Sequence, residues 1–154
     1  VHEKAPDWNL RIIGEGDERP ALEALIREQG LSDCVTLTGK LSPEGVEREM
    51  LSASIYASTS KSEGFMLTLV EGMSCGLAPV AYDVRVGPAL IITDSVNGYL
   101  VPDGDADGYA ARLLGLINDP ELMAELSHAA VRRALDFSKE NISRQWFDLL
   151  EDKE

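Results

Sequence analysis

Two glutamates are the residues of this sequence whose types and spacing first suggest chemistry. Glu63 and Glu71 stand at the ends of an uncharged run, Gly64 to Val70, within SEGFMLTLVEG. Apolar runs usually lie inside a protein, and carboxylates are rarely buried unless paired, so acids bracketing this run need a reason. The segment 67–76, LTLVEGMSCG, has helical period and ends in Gly76, which places Glu63 in the loop before a helix and Glu71 about one to two turns into it. The N–H groups of residues 66–69 then point outward without intrahelical partners, and a neighbouring glycine lets a ligand come close. Such a helix start favours an anion, phosphate above all. A carboxylate at Glu71 can accept two hydrogen bonds from a vicinal diol such as ribose, and Glu63 can do the same for the hydroxyls of a second ring. The alternative is that both acids merely complement the helix dipole.

These residues need a scaffold to hold them. Short β-rich runs occur at 10–14 (LRIIG), 34–39 (CVTLTG), 54–59 (SIYAST), 78–83 (APVAYD) and 97–102 (NGYLVP, after an Asn-Gly turn). Helical patterns lie between them at 17–30, 42–53 and 67–76, and then follow one another at 105–119, 120–137 and 138–151. Leu22, Leu25 and Ile26 form the apolar stripe of the first. Ser42 is an expected N-cap with Pro43 behind it, and Pro120 and Ser138 open the last two helices. Strands alternating with helices specify an α/β fold: a doubly wound, Rossmann-like parallel sheet with C-terminal helices. In such sheets ligands bind beyond the carboxyl ends of the strands. The loops there are Gly14-Glu15-Gly16, Thr38-Gly39-Lys40-Leu41, Ser60-Lys61-Ser62-Glu63-Gly64 and Asp83 to Pro88, and three of them carry a cation (Lys40, Lys61, Arg85).

Composition narrows the partners. The chain has 154 residues, 44% hydrophobic and 27% charged, and a net charge of −13, a poor match to nucleic acid or an anionic membrane. No apolar run approaches the roughly 18 residues of a membrane span. Cys34 and Cys75 lack metal-ligand spacing and read as reduced core thiols of a cytosolic protein. The first residue is Val1, and VHEKAPDW reads as the end of a helix, so a piece of a longer protein is expected, one strand and helix short of a complete sheet. Gly14-Glu15-Gly16 follows a strand, but no third glycine follows and no acid ends the second strand, which argues against a dinucleotide site. DGDADG (103–108) imitates a calcium loop, yet Leu114 stands where the bidentate Glu belongs, and its acids read as helix caps. His2 and His128 are isolated.

Taken together, SEGFMLTLVEGMSCGLAPVAYD resembles the Glu-x7-Glu motif of the family-4 retaining glycosyltransferases, whose GT-B architecture has two facing Rossmann-like domains. The segments LRIIGEGDERPALEALIREQGLSDCVTLTG and NGYLVPDGD, with the closing helices, are also similar. The resemblance implies the C-terminal, donor-binding half of a GT-B enzyme, a single nucleotide-sugar-binding domain over 1–154. It implies a nucleotide-sugar donor, UDP-linked, with Glu63 facing the sugar and Glu71 the ribose as the catalytic pair. The backbone of Gly64, Phe65, Met66, Leu67, Thr68 and Leu69 would hold sugar and diphosphate, with Lys61 nearby. Thr38, Gly39, Lys40 and Leu41 would cradle the base beside Gly14 and Gly16. No metal or other cofactor is implied. The implied partner is the protein's own N-terminal domain, which would carry the acceptor site, so the 154 residues alone should be inert. The setting expected is the cytoplasm, peripherally at the inner membrane face for the full-length protein.

The sequence also departs from the family pattern. Ala78 precedes Pro79, Gly72 stands where Ala is usual, and Leu90 replaces a common acid. In this resemblance Val86-Gly87-Pro88 points to the branch that glucosylates teichoic acids and serine-rich adhesins. The terminal helix, 138–151, is expected to be loosely held, with Trp146 and Phe147 partly exposed. A different reading remains beside this one: an unrelated nucleotide-binding α/β domain, either an NAD-type enzyme or a regulatory binding module.

Overall fold

A computed structural model describes residues 1–151. Strands and helices alternate in the order β1 (Leu10–Ile13), α1 (Arg19–Glu28), β2 (Val35–Gly39), α2 (Pro43–Leu51), β3 (Ile55–Ser58), α3 (Leu67–Ser74), β4 (Ala78–Asp83), α4 (Pro88–Ile91) and β5 (Tyr99–Pro102). Helices α5 (Ala106–Asn118), α6 (Pro120–Ala134) and α7 (Lys139–Glu151) complete the described chain. Every expected strand and long helix is present. The single turn α4 is additional: four residues after Gly87 are too few to show a helical period.

All strand pairings are parallel, as the alternating pattern requires. The strands form two sheets rather than one, β1-β2 and β3-β4-β5. Among the described residues β1 pairs with β2, and β3 with β4. The chain likewise divides into two compact units, Val1–Glu49 and the residues from Met50 onward.

In the first unit, β1 and β2 run in register from Leu10↔Val35 to Ile12↔Leu37, and the register shifts before Ile13↔Gly39. Arg11 forms a two-point ion pair with Glu49, with Nη2 to Oε1 at 2.6 Å. That pairing holds the Glu49 carboxyl below its usual range. The stripe of α1 stays largely at the surface: no residue of the helix is fully buried, and Leu25 is 52% exposed. Cys34 is buried, its thiol donating to Leu31 O at 3.5 Å.

The second unit holds most of the core. β4 lies between β3 and β5, and Ala78, Val80 and Ala81 are fully buried. Side chains alternate across a strand. Accordingly Ala78 and Val80 join Tyr99, Val101, Tyr109, Leu116 and Leu126 in one cluster, while Ala81 joins Met66, Leu69, Met73, Ile91 and Ala130 in another. Helices therefore cover both faces of this sheet. The helix starts follow their local signals. Ser42 accepts from Gly45 N at 3.2 Å, Asp105 from Gly108 N at 2.8 Å, Asp119 from Leu122 N at 3.0 Å and Ser138 from Asn141 N at 3.3 Å. The capping role read for DGDADG is thus met at Asp105. No residue of α7 is buried, and Trp146 and Phe147 are largely exposed.

Candidate functional site

Because β3 and β4 are parallel neighbours, the loops that leave them, 59–66 and 84–87, emerge at one edge of the sheet. They touch there. Gly87 has φ +108°, and a Cβ on it would lie 3.0 Å from Glu63 Cβ and 3.4 Å from Gly64 O. Glycine suits both the conformation and the contact. Glu63 is half-buried against this glycine, whereas Lys61 and Arg85 are exposed. Among the described residues neither cation has an ion pair.

Helix α3 explains how one greasy run carries polar ends. Met66, Leu69 and Met73, at helical spacing, are 3%, 0% and 0% exposed and enter the core. Leu67, Thr68 and Glu71 lie on the opposite, exposed side. Met66 caps the helix without a side-chain hydrogen bond. Of the four expected open N–H groups, Leu67 N donates to Phe65 O at 2.9 Å and Leu69 N to Met66 O at 3.1 Å. This tight first turn leaves the Met66 and Thr68 N–H groups without an acceptor among the described residues.

Tyr56 packs against α3. Its ring lies under Gly72, and its hydroxyl is 2.8 Å from the Thr68 hydroxyl. Burial is the main cause that raises the pKa of this phenol, the Thr68 hydrogen bond opposes that rise, and the Glu63 and Glu71 charges add to it. Tyr109 supports the strand ends, its hydroxyl donating to Val80 O at 2.7 Å and lying 3.2 Å from Ser58 O, and burial pushes its pKa upward.

The remaining predicted residues lie in the first unit. Gly14 and Gly16 line a cavity of about 250 Å³ with Ile12, Glu15, Arg19 and Leu37. Gly14 N donates to Gly39 O at 3.0 Å, which joins the two strand ends, and the Thr38 hydroxyl donates to Ile12 O at 3.3 Å. Lys40 is exposed, and Leu41 is half-buried against Gly45. Arg19 braces the cavity, with Nη1 to Glu15 at 2.5 Å, Nε to Glu23 at 2.8 Å and Nη2 to Leu37 O at 3.3 Å.

Sequence reasoning did not single out Tyr56, Gly87 or Arg19 for the site. Glu15, Arg19 and Glu23 have a readable i, i+4 charge spacing. Tyr56 and Gly87 act through contacts distant in sequence, which no local pattern carries. Among the described residues, no three His, Cys, Asp or Glu side chains cluster closely enough to hold a metal ion, and no helix is long and apolar enough to cross a membrane.

A profile described as Glycosyl transferases group 1 matches residues 1–133. The chain belongs to the group 1 glycosyl transferases. It is 34% identical, over 94% of its length, to an exopolysaccharide phosphotransferase of Streptomyces coelicolor. It is 30% identical, over 91% of its length, to a poly(ribitol-phosphate) alpha-N-acetylglucosaminyltransferase of Staphylococcus aureus. Among solved structures, the pneumococcal O-GlcNAc transferase GtfA in complex with UDP and GlcNAc superposes with a TM-score of 0.85 over 98% of the chain, at 27% identity. The chain spans 15%, 28% and 30% of these three proteins respectively. A poly(ribitol-phosphate) transferase and an O-GlcNAc transferase are the kinds of relative to which Val86-Gly87-Pro88 pointed. Membership of the group 1 family displaces the reading as an unrelated NAD-type enzyme or regulatory module, and the Rossmann-like α/β architecture agrees with it.

Proposed function

We propose that this chain is the donor-binding half of a retaining glycosyltransferase, holding a UDP-linked sugar for transfer to a hydroxyl of a cell-surface glycan, lipid or protein. The observation that carries the reading is the start of α3. There the half-buried Glu63 and the exposed Glu71 flank, along the chain, the Met66 and Thr68 N–H groups, which have no acceptor among the described residues. The pneumococcal relative's complex with UDP and GlcNAc supports the choice of ligand.

In this reading Glu71 accepts hydrogen bonds from the ribose diol and Glu63 from the donor sugar. The backbone from Gly64 to Leu69 takes the diphosphate, with Lys61 contributing charge. The base lies at the strand ends of the first unit, Gly14, Gly16 and Thr38 to Leu41. Bond exchange at the anomeric carbon needs no redox partner: the bond to phosphate oxygen breaks, a bond to the acceptor oxygen forms with the same configuration, and the nucleoside diphosphate leaves with the proton released by the acceptor hydroxyl. No metal is assigned. The acceptor is assigned to an N-terminal domain of the full-length enzyme, working in the cytoplasm at the inner membrane face.

Calorimetric titration of two variants tests the roles. Glu71→Ala should weaken UDP and UDP-GlcNAc alike by roughly tenfold to a hundredfold, the range for losing a hydrogen bond to a charged group. Glu63→Ala should leave UDP binding nearly unchanged and weaken UDP-GlcNAc. Equal losses for both ligands in both variants would refute the division of roles. Unchanged binding in both would return the acids to dipole partners of α3.

A further inference from the structure

The geometry points to Arg133 as a positioning residue that sets the loop carrying Glu63. The inference rests on the reading above, in which that loop meets the donor sugar. Residues 59–66 form no regular secondary structure, and among the described residues the Glu63 side chain makes no hydrogen bond. The loop's place is therefore set by its neighbours. On one side it meets Gly87, the residue that opens α4. On the other, the Phe65 ring meets the Phe137 ring edge-on, with centroids 5.4 Å apart.

One guanidinium holds both neighbours. Arg133 Nε donates to Ile91 O at 3.1 Å and Nη2 to Leu90 O at 2.8 Å, which fastens the far end of α4. The same group lies 4.7 Å over the Phe137 ring, and its Nη1 bonds Asp136 at 2.8 Å. Four contacts from one planar fork fix the two flanking elements relative to each other, with the Glu63–Phe65 loop between them. Lysine offers a single point charge and cannot meet two carbonyls while stacking on a ring. A purely structural role, capping α4 and supporting Phe137, would affect stability alone.

The test compares UDP with UDP-GlcNAc on the 154-residue chain, with folding followed by circular dichroism. Arg133→Met is expected to keep UDP affinity within about twofold and to lose about tenfold for UDP-GlcNAc, the scale of one misplaced charge-assisted hydrogen bond. Arg133→Lys should fail to restore the sugar term. Arg112→Met is the control, because Arg112 stacks over Tyr99 at 4.4 Å without touching the loop or its two neighbours. It should lower the melting temperature and leave both affinities unchanged. Phe137→Leu keeps the Arg133 hydrogen bonds and removes the ring edge on Phe65, and should show the same selective loss even where Arg133→Met does not fold. Parallel loss for both ligands, no loss in Arg133→Met, or an unselective Phe137→Leu would overturn the role of Arg133. A parent chain that binds neither ligand would overturn the donor-site reading and this inference with it, whereas a parent that binds both isolates the failure to Arg133.

Discussion

At Gly72 the fit between strand and helix is decided by one absent atom. A Cβ there would fall 2.8 Å from Tyr56 Cδ2 and 3.2 Å from Cγ. Gly72 makes room for a tyrosine ring whose hydroxyl reaches Thr68. Gly72→Ala gains up to about 1 kcal/mol of helix propensity, but overpacking the buried site costs about 1–3 kcal/mol. Net destabilisation by chemical denaturation is the expected result. Replacing the ring relieves the clash, so the Tyr56→Val/Gly72→Ala double variant should lose less than the sum of its single variants. Additivity within about 0.5 kcal/mol would mean that the two residues do not constrain each other.

At the level of elements, helix starts depend on their caps. Asp105 accepts from Gly108 N and opens α5, which carries Tyr109 and Leu116 into the core against β4 and β5. Asp105→Ala should destabilise the chain by about 1 kcal/mol, the usual cost of losing an acidic N-cap. A thermal or urea unfolding series reads this, and an unchanged midpoint would show that α5 starts without the cap. α7 has a cap at Ser138 but no buried residue, so its local signal is satisfied while Trp146, Phe147, Leu149 and Leu150 stay exposed. The apolar stripe of α1 behaves similarly. Helical period was legible for both helices, and for α7 the cap and the exposure of Trp146 and Phe147 as well, whereas the exposed stripe of α1 was not, because burial depends on what packs against it.

Across the whole molecule, burial is unevenly shared. β4 is enclosed by two strands and by helices on both faces, whereas among the described residues β1 pairs with β2 alone, with Leu10 and Ile13 46% and 36% exposed. Native-state hydrogen exchange should therefore be slowest at Val80 and Ala81, faster in β1, and fastest in α7, because local opening follows buried apolar contact. Exchange in β1 or α7 as slow as in β4 would contradict this ordering. Similar amino-acid patterns thus have different stabilities according to their surroundings: LRIIG and APVAYD both read as strands, yet only the second is enclosed on every side.

The sequence by itself determined the alternation of strands and helices, the helix caps and the family. Each of these rests on local chemistry: a period of two or 3.6, an oxygen at an N-cap, a Glu-x7-Glu spacing. Tertiary structure alone decided that the strands fall into two sheets, that Tyr56 packs against Gly72 and Thr68, and that Arg133 spans from α4 to Phe137. Those relations join residues far apart in the chain. They exist only once the backbone has closed around a core, and no periodicity or spacing in the sequence encodes which side chain will stand opposite which.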